Sequence, residues 1–565
     1  MKNKFIYRDE NGLHLAPRFK RGFLSVIFSR FTIVCAFLAL QVWVYVMMWN
    51  FFDEFLTKYF VNCQTAFVLI VLLILINSSS ISSVKVPWLL LIAVFPFFGA
   101  VFYLWTQTDI GHRRMTKRLD EVMNFSNRIL QPDEKVFGEI RKINEESYSA
   151  ARYLEHVGNF PAYRAQDVRY YPSGETMFPA LLAELKRAEK FIFLEYFIVE
   201  EGYMWGKILE ILARKAAAGV EVRLLYDATC ELGKIPFYYP KRLEAIGIRC
   251  RVWERMKPFI TSTYNYRDHR KIAVIDGKTA FTGGINLSDE YMNRGSRFGY
   301  WKDTSVSFTG KAVETFTLMF LQMWNVSNPE TEHLEKYIFR AAGADDLFLP
   351  ASAGKTFELK PERDAQGAAA KPGRLMVQRE KAYEGYIIPY GDSPLDQYRV
   401  GENIYMDILN TAEDYVYIMT PYLILDDKLR ESMCFAAERG VDVRLIMPGI
   451  PDKKVINALS KRQYRHLLDA GVKIYEYTPG FTHAKMALSD SNKAVVGTIN
   501  LDFRSFYHHF ECAVYMLDVP VIKQIRQDFQ DTLSRSRLVT RETLKKEKFI
   551  VKAVGAVVEI IAPML

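Results

Sequence analysis

The chain has 565 residues, of which half are hydrophobic and a quarter charged, and its formal net charge is +9. The length exceeds that of one ordinary domain, and the composition excludes an intrinsically disordered protein. The modest basic excess suits a surface that faces anionic lipid or another polyanion. Six cysteines are scattered without a C-x-x-C pair, which argues against a disulfide framework or zinc site and favours a reducing compartment.

Three hydrophobic runs follow a basic N-terminal arm within residues 1–110. They extend over about 31–49, 59–76 and 86–105. The first run is long enough to cross a bilayer, which needs about 20 apolar residues, and Pro96 predicts a kink in the third. A buried helical hairpin is an alternative for any one run, but not for all three. We therefore expect a membrane anchor of two or three transmembrane helices.

The topology that the flanking charges imply does not match the number of hydrophobic runs. The N-terminal arm is basic, and so is the segment 112–118 that follows the third run. Basic flanks mark the cytoplasmic side of a membrane, so two basic flanks require an even number of crossings. Either one run does not span the bilayer or one flank is misplaced. We expect a multi-pass protein of the cell membrane with a cytoplasmic catalytic region.

Two copies of one motif organise the rest of the chain. The motif reads H-x-K-x4-D, and its copies are His269, Lys271 and Asp276, and His483, Lys485 and Asp490. Alternating apolar and polar positions predict a strand around each copy. Residues two apart on a strand point to the same face, so each histidine should stand beside its lysine. A neutral imidazole can attack phosphorus, and an adjacent ammonium can neutralise phosphoryl oxygens.

Each motif is followed by a second predicted strand, a glycine-containing turn and a helix start. The turns read GGIN and GTIN. Small residues let the backbone approach a ligand closely, and helix N-termini attract phosphate. The predicted phosphate-binding residues are Gly284, Asn286, Thr498 and Asn500. A lone H-x-K would be weak evidence, but two matching blocks of strand, turn and helix are not plausibly coincidental.

These blocks resemble the phospholipase D superfamily, whose signature is a pair of H-x-K-x4-D motifs. In detail they resemble the bacterial cardiolipin synthases of that superfamily. The stretches that carry the likeness are GGINLSDEY, FGYWKDTSV, GTINLDFRSF and FEC. The resemblance implies that an acidic residue downstream of each motif orients the histidine through its far ring nitrogen, and Asp303 and Glu511 stand at the matching positions. Asp276 and Asp490 are expected to be structural and to hold the turn after each strand.

An internal repeat indicates two similar halves after the anchor. The phrases AAAGVEVRLLYD and AAERGVDVRLIMPG show the duplication. The predicted segments are a helical connector at 111–160, a first half at 161–340, a linker or surface excursion at 341–381, a second half at 382–540 and an amphipathic tail at 541–565. The predicted fold class is α/β, with two tandem phospholipase D-like sandwich halves whose pseudo-twofold axis joins the two motifs in one site. The tail could lie on the membrane surface or pack on the catalytic domain.

The two predicted halves are not identical. Glu195 is a carboxylate in an apolar strand and needs a partner, either structural or in the site, because burying a lone charge is costly. Its counterpart in the second half is Thr420. By analogy with the family, His269 is the nucleophile and His483 the acid and base. The other histidines carry no motif, although His508 and His509 lie close to the second copy in sequence.

The resemblance implies a reaction that condenses two phosphatidylglycerol molecules to cardiolipin and glycerol. One histidine would attack phosphorus, and the other would protonate the departing alkoxide and then deprotonate the incoming alcohol. The lysines and asparagines would hold the non-bridging oxygens, so we predict no metal and no cofactor. The expected partners are phosphatidylglycerol, cardiolipin and the lipid bilayer, and no nucleic acid.

Three alternatives stay open from the sequence. The same groups could hydrolyse phospholipids as a phospholipase D, because the exclusion of water depends on pocket shape. They could cleave nucleic acid, although the hydrophobic runs and the lack of an aromatic-basic stripe argue against this. The chain could instead be a scaffold that binds anionic lipid without turnover, which the complete histidine, lysine and asparagine sets argue against. The oligomeric state is not indicated.

Overall fold

The computed structural model describes nine ranges of the chain and a few single positions between 39 and 51. The ranges are 6–16, 54–78, 82–107, 110–126, 129–254, 266–295, 297–327, 334–338 and 384–562. The predicted hydrophobic run at 31–49, apart from those single positions, and the predicted excursion at 341–381 lie outside the described residues.

A short N-terminal hairpin lies against the first catalytic half. Its strands β1 (Tyr7–Asp9) and β2 (Gly12–His14) pair antiparallel. Nδ1 of the buried His14 lies 2.8 Å from Oε2 of Glu201, and the other oxygen of Glu201 accepts the next two backbone N–H groups of the arm. The arm and the first half are therefore fixed to each other.

The second hydrophobic run forms helix α1 (Glu54–Asn77). Within it, residues 58–77 are the one stretch of the described chain that is long and apolar enough to cross a membrane. The third run forms two short helices, α2 (Ser82–Val94) and α3 (Pro96–Gln107), that fold back on each other. The ring centroids of Trp88 and Tyr103 are 5.4 Å apart, whereas fifteen residues of a continuous helix extend over about 22 Å. This run is therefore a helical hairpin and not the single kinked helix that the sequence predicts.

The stretch predicted as a helical connector contains three helices: α4 (Ile110–Ser126), α5 (Glu134–Ile143) and α6 (Glu145–Gly158). Side-chain caps begin the last two, because Asp133 accepts the N–H of Lys135 and Asn144 accepts that of Ser147. The apolar faces of α5 and α6 join the core of the second half. The connector is therefore packed on the catalytic domain.

The first half is built on a seven-stranded mixed sheet in the order β4-β12-β10-β9-β5-β6-β7. The strands up to β12 are β3 (Tyr163–Arg164), β4 (Arg169–Tyr171), β5 (Phe191–Tyr196), β6 (Glu221–Asp227), β7 (Arg249–Trp253), β8 (Arg267–Asp268), β9 (Lys271–Ile275), β10 (Thr279–Gly283), β11 (Tyr300–Lys302) and β12 (Ser305–Thr309). Both faces of β5 and β9 are buried, which explains why their sequences are nearly continuous apolar runs.

The second half repeats this sheet strand for strand. Within its ten-stranded sheet, the seven consecutive strands β13-β20-β19-β18-β14-β15-β16 match the order of the first sheet, and β3 and β21 extend the two edges. The strands are β13 (Tyr386–Asp392), β14 (Tyr415–Met419), β15 (Asp442–Pro448), β16 (Lys473–Tyr477), β17 (Gly480–Thr482), β18 (Met486–Ser489), β19 (Lys493–Gly497), β20 (His509–Leu517) and β21 (Ser536–Leu538). The prediction of two tandem α/β halves is confirmed.

Helices cover the outer face of each sheet, and the inner faces share one core. The helices are α7 (Gly174–Arg187), α8 (Tyr203–Ala217), α9 (Tyr239–Glu244), α10 (Val313–Val326), α11 (Val400–Thr411), α12 (Asp427–Glu438), α13 (Lys454–Asp469), α14 (Phe503–Tyr507), α15 (Val521–Ser534), α16 (Arg541–Lys545) and α17 (Phe549–Ile561). The shared core joins Phe193 of the first sheet to Met486 of the second, with α10 and α15 between them. The core between the inner faces is therefore complete only when both halves are assembled.

The C-terminal helix α17 packs on the second half. Glu559 pairs with Arg462 of α13 at 3.0 Å. The two helices approach closely, since a Cβ added at Gly555 would lie 2.7 Å from the carbonyl oxygen of Ala458. Of the two placements that the sequence leaves open for the tail, the structure has the packed one.

Candidate active site

Two short parallel strand pairs bring each motif histidine to the opposite half. Strand β8 of the first half pairs with β20, and the N–H of His269 donates to the carbonyl of Phe510 at 3.0 Å. Strand β17 of the second half pairs with β11, and the N–H of His483 donates to the carbonyl of Lys302 at 2.6 Å. Each histidine therefore lies beside the strand of the other half that carries an acidic residue.

The acidic partners of the histidines are exchanged between the halves. Nδ1 of His269 lies 2.9 Å from both oxygens of Glu511, and Nδ1 of His483 lies 2.6 Å from Oδ2 of Asp303. The sequence identifies both carboxylates but associates each with the motif upstream of it. The crossed strands are the physical reason for the exchange. A carboxylate that accepts a hydrogen bond from Nδ1 keeps the proton on that nitrogen. The lone pair of Nε2 is then free to attack phosphorus or to accept a proton.

The two motif lysines are almost completely buried in the same site. Each ammonium donates to the backbone carbonyl of its own histidine, and Nζ of Lys485 also lies 2.8 Å from Nδ1 of His483. Burial lowers the pKa of Lys271 to about 8 and that of Lys485 to about 7. Two poorly solvated cations side by side favour an anionic ligand such as a phosphodiester.

Burial also lowers the pKa of both histidines well below the usual value. Glu511 opposes this effect at His269, whereas Lys485 adds to it at His483. Both imidazoles are therefore disposed to be neutral, as a nucleophile must be.

The two carboxylates have unlike surroundings. Glu511 accepts hydrogen bonds from the hydroxyls of Ser505, at 2.7 Å, and Thr498. Burial acts to raise the pKa of Glu511, but His269 outweighs it and holds that pKa well below the usual range. Burial raises the pKa of Asp303 to about 7, although Lys485 acts to lower it. Glu511 is thus the more firmly ionised of the two.

Two of the predicted phosphate-binding residues contact these carboxylates. The hydroxyl of Thr498 is engaged by Glu511. A Cβ added at Gly284 would lie 2.8 Å from Cγ of Asp303, so glycine leaves the space that this carboxylate occupies. The space at Gly284 and the hydroxyl of Thr498 therefore serve the carboxylates, and a contact of either residue with phosphate stays a prediction.

The two predicted asparagines differ from each other. Oδ1 of Asn286 accepts the N–H of Ile198 at 3.0 Å, and its amide donates to the Tyr291 hydroxyl at 2.7 Å. Oδ1 of Asn500 is buried and has no hydrogen-bond partner among the described residues. A buried amide oxygen without a partner is costly, so Asn500 can accept a hydrogen bond from a ligand group, whereas the amide oxygen and nitrogen of Asn286 each have a partner.

The aspartates of the two motifs accept hydrogen bonds from backbone N–H groups and do not face a ligand site. The carboxylate of Asp276 accepts N–H groups from Glu189, Lys190 and Phe191. That of Asp490 accepts N–H groups from Glu413, Asp414 and Tyr415. Each aspartate thus fixes the loop that enters the neighbouring strand, β5 or β14.

Glu195 has a buried partner outside the two histidine pairs. Oε1 of Glu195 lies 2.7 Å from Nη2 of Arg270, whose Nε lies 3.3 Å from Asp268. Burial raises the pKa of Glu195 well above the usual value. These contacts make Glu195 a member of a buried charge cluster that supports the strand leading to His269.

Sequence reasoning assigned no role to His509, which lies against His269. The ring centroids are 5.2 Å apart, and Nδ1 of His509 lies 3.5 Å from Oε1 of Glu511. The corresponding residue of the first half is Trp301, whose ring centroid lies 5.2 Å from that of His483. Both residues stand two positions before the carboxylate, and this shared register could have identified them.

One group of the described residues has the geometry of a metal site. Potential ligand atoms of His269, His509 and Glu511 all lie within 4.8 Å of one another. Both oxygens of Glu511 already accept hydrogen bonds, and the nearby Lys271 acts to lower the pKa of His269. These groups would compete with and repel a cation, so the surroundings favour an anion instead.

Comparisons with known proteins agree with this geometry. A family model described as cardiolipin synthase, phospholipase D-like domain, matches residues 181–324 and 405–533. A cardiolipin synthase of Alkalihalophilus pseudofirmus is 31% identical over 490 residues, which are 85% of this chain and 88% of that protein. The chain belongs to this family.

Two further similarities extend the comparison. An uncharacterized protein of Streptococcus mutans serotype c is 49% identical over 493 residues, or 87% of this chain and 99% of that protein. The crystal structure of phosphatidylserine synthase from Haemophilus influenzae Rd KW20 has the same fold, with a TM-score of 0.51 and 13% identity over 74% of this chain and 98% of that one.

Each segment matched by the cardiolipin synthase family model contributes to both histidine pairs. The first contains His269 and Asp303, and the second contains His483 and Glu511. Since each carboxylate contacts the histidine of the other segment, the phospholipase D-like site of this chain is complete only when both halves are assembled.

Proposed function

We propose that the protein is a membrane-bound phosphatidyltransferase that condenses two phosphatidylglycerol molecules to cardiolipin and glycerol. The observation that carries the proposal is the pair of carboxylate-bound histidines, each with its own lysine, in one buried site. Membership of the cardiolipin synthase family supports the choice of substrate.

The reaction proceeds in two displacements at phosphorus. Nε2 of one histidine attacks the phosphorus of the first phosphatidylglycerol, and the bond to the glycerol oxygen breaks as the other imidazolium gives that oxygen its proton. The head-group hydroxyl of a second phosphatidylglycerol then loses its proton to the same imidazole and attacks the phosphatidyl-histidine. The phosphorus–nitrogen bond breaks, which releases cardiolipin and restores both histidines.

Lys271 and Lys485 stabilise the negative charge on the non-bridging oxygens, together with Asn286 and Asn500. This role suits cations that burial has left poorly solvated, because electrostatic stabilisation is strongest where water is excluded. The lysines supply the positive charge, so we propose that neither a metal nor a cofactor takes part.

Transfer to an alcohol rather than to water is favoured by the walls of the site. Both catalytic histidines are less than one-tenth exposed. The ring of Phe197 lies 5.0 Å from that of His269, and the ring of Tyr291 lies 5.4 Å from that of His483. Closely packed rings limit the access of bulk water to a reactive phosphatidyl-histidine. Hydrolysis, as in a phospholipase D, is the second candidate and is an outcome of the test below.

The N-terminal region is proposed to cross the membrane twice. Because the β1–β2 hairpin is bound to Glu201, the arm and the catalytic halves lie on one side, and an even number of crossings separates them. Helix α1 supplies one crossing. Helices α2 and α3 have 13 and 12 residues, fewer than the roughly 20 of a spanning helix. The run at 31–49 then supplies the second crossing, and the α2–α3 hairpin enters the membrane without spanning it.

This arrangement puts both basic flanks and the catalytic halves in the cytoplasm. It keeps residues 1–110 as the anchor and 111–160 as the connector, with catalytic halves at 161–340 and 382–540. An epitope inserted between residues 52 and 53 should be accessible on intact cells, and one inserted between 108 and 109 should not. External access to the second epitope would contradict the proposal, because residues 82–107 would then cross the membrane once.

The catalytic proposal is tested with purified protein in detergent–lipid micelles that contain phosphatidylglycerol, with and without a chelator. Equal amounts of cardiolipin and glycerol are expected, unaffected by the chelator and lost in His269→Ala and His483→Ala. His466→Ala is the matched control, since His466 is exposed on α13. Phosphatidic acid in place of cardiolipin would identify a hydrolase. Lipid binding without any turnover would identify a scaffold.

A further inference from the structure

Helix α17 turns an uncharged apolar face away from the protein. Of its thirteen residues, two are charged, Lys552 and Glu559. Glu559 pairs with Arg462 of α13, and the ammonium of Lys552 donates to the carbonyl of Lys545, just before the helix. Both charged groups are therefore held by neighbouring parts of the chain, whereas a surface helix in water normally has charged and polar residues on its outer face.

The outer face of α17 exposes two large apolar residues next to each other. Gly555 marks the opposite face, because an added Cβ there would meet Ala458 of α13. At about 3.6 residues per turn, Phe549, Ile550 and Ala553 lie on the side of the helix away from Gly555. Phe549 and Ile550 are 84% and 67% exposed, more than any other large apolar residue that the structure describes between 54 and 562. Adjacent apolar residues with so much exposed surface indicate an interaction site.

The charge beside this face complements an anionic surface. Lys545, Lys546 and Lys548 are exposed where α16 ends and α17 begins. The acidic residue among them, Glu547, pairs with Lys461 of α13, so the charge that faces outward here is positive. Lysines beside the apolar face of a helix bind the phosphates of anionic lipids, while the apolar side chains enter the boundary between head groups and acyl chains.

The position of α17 relative to the anchor identifies the bilayer as the partner of this face. Helix α17 contacts α2, and α2 belongs to the hairpin that is proposed to enter the membrane. An apolar face that continues a membrane-embedded hairpin and is flanked by lysines matches the surface of an anionic bilayer. A second copy of the chain would match the apolar residues but would bring a second set of lysines against the first, and like charges at an interface repel.

The other end of α17 lies near the active site. The small core around this end contains Val558, Ala562, Ile424 and Phe503. Phe503 begins α14, three residues after Asn500, which is proposed to stabilise charge on the phosphoryl oxygens. Helix α17 therefore connects its exposed face to the second half-site by direct packing.

We propose that α17 docks on the surface of an anionic bilayer through Phe549, Ile550 and the three lysines, and that this contact orients the second half-site toward the lipid phosphates. The inference rests on the proposed membrane anchor and adds a contact outside the anchor. Lipid substrates in a bilayer depend on this contact, because the site must face the surface from which they enter. Substrates dissolved in water do not depend on it.

The contact is tested with a photoreactive residue in the full chain, reconstituted in liposomes that contain phosphatidylglycerol. Phe549→p-benzoylphenylalanine should attach to lipid on irradiation. Phe435→p-benzoylphenylalanine is the control and should attach far less, since Phe435 is 53% exposed but lies on α12. Attachment to a second copy of the chain, equal labelling at both positions, or no lipid adduct at position 549 would overturn the inference. Labelling requires no turnover, so its outcome is independent of the proposed function.

The effect on the site is tested with the double variant Phe549→Ser/Ile550→Ser. Cardiolipin synthesis in liposomes should fall about tenfold, as expected when two apolar side chains no longer enter the bilayer. Synthesis from dihexanoyl-phosphatidylglycerol, supplied as a monomer in solution, should be unchanged, and Phe435→Ser should leave both rates unchanged. Equal losses on both substrates would show that the two residues only stabilise the fold. An unchanged rate in liposomes would refute the role of docking.

Discussion

The fit between Gly284 and Asp303 gives a sharp prediction for Gly284→Ala. The added Cβ would lie 2.8 Å from Cγ of Asp303, whereas carbon atoms in contact are separated by about 3.5–4.0 Å. The carboxylate must therefore move by about 0.7–1.2 Å, the difference between these distances. Its 2.6 Å contact with His483 cannot survive such a shift unchanged. Because misplacement of a catalytic group by about 1 Å can reduce a rate about 100-fold, we expect a loss of that order in kcat.

Cardiolipin formation in micelles measures this effect. Gly138→Ala is the matched control, since no described residue beyond its own stretch of helix lies within 4 Å of an added Cβ there, and it should retain full activity. If Gly284 acts through Asp303, the double variant Gly284→Ala/Asp303→Ala should be no slower than Asp303→Ala alone. Additive losses, or a higher KM at unchanged kcat, would refute the reasoning and restore a direct contact of Gly284 with phosphate.

Three further predictions concern charge. Because the pKa values of Lys485 and Lys271 are lowered to about 7 and about 8, their protons are lost as the pH rises through these values. The kcat/KM should therefore fall above about pH 7, and Lys485→Arg should leave a single step near 8; a flat profile to pH 10 would contradict this. Arg270→Met should lower the free energy of unfolding in chemical denaturation by about 3–5 kcal/mol, because it leaves the buried carboxyl groups of Glu195 and Asp268 without their cation; an unchanged value would contradict this. Asp490→Ala should cost about 1.5–3 kcal/mol but preserve the kcat of the folded fraction; an inactive, fully folded variant would show a catalytic role.

The likeness of the two halves can be predicted from the sequence because both carry the same local signals. Strands that are buried on both faces are apolar along most of their length. The sequence predicts β5 and β14 as strands for that reason. The sequence does not determine the conformation of the third hydrophobic run. Its length and Pro96 are compatible with a kinked span or with a hairpin, and only the contact between Trp88 and Tyr103 distinguishes them.

The sequence predicts which residues form the site, but not which carboxylate contacts which histidine. The motifs and both carboxylates stand in the sequence, yet a duplicated chain gives no local sign of whether Asp303 serves its own half or the other. The crossed pairing of β11 with β17 decides this, and it is a contact between distant residues. The sequence assigns no role to His509, because the significance of this residue depends on its position relative to Glu511 and not on a motif of its own.

The exchanged carboxylates predict how the protein behaves when its chain is divided. A break between residues 360 and 361 separates the halves within a segment outside the described residues. Either fragment alone should be inactive, because each would contain a histidine without its carboxylate and one face of a shared core. The two fragments expressed together should restore cardiolipin synthesis, since the inner sheet faces are complementary and apolar.

Point variants decide between this explanation and a simple failure of one fragment to fold. Co-expression with Glu511→Gln in the second fragment should abolish the restored activity to the same extent as His269→Ala in the first, because these two residues form one pair across the break. Recovery of cardiolipin synthesis by a single fragment would contradict the composite site. Restoration that is insensitive to Glu511→Gln would show that His269 does not depend on the carboxylate of the other half.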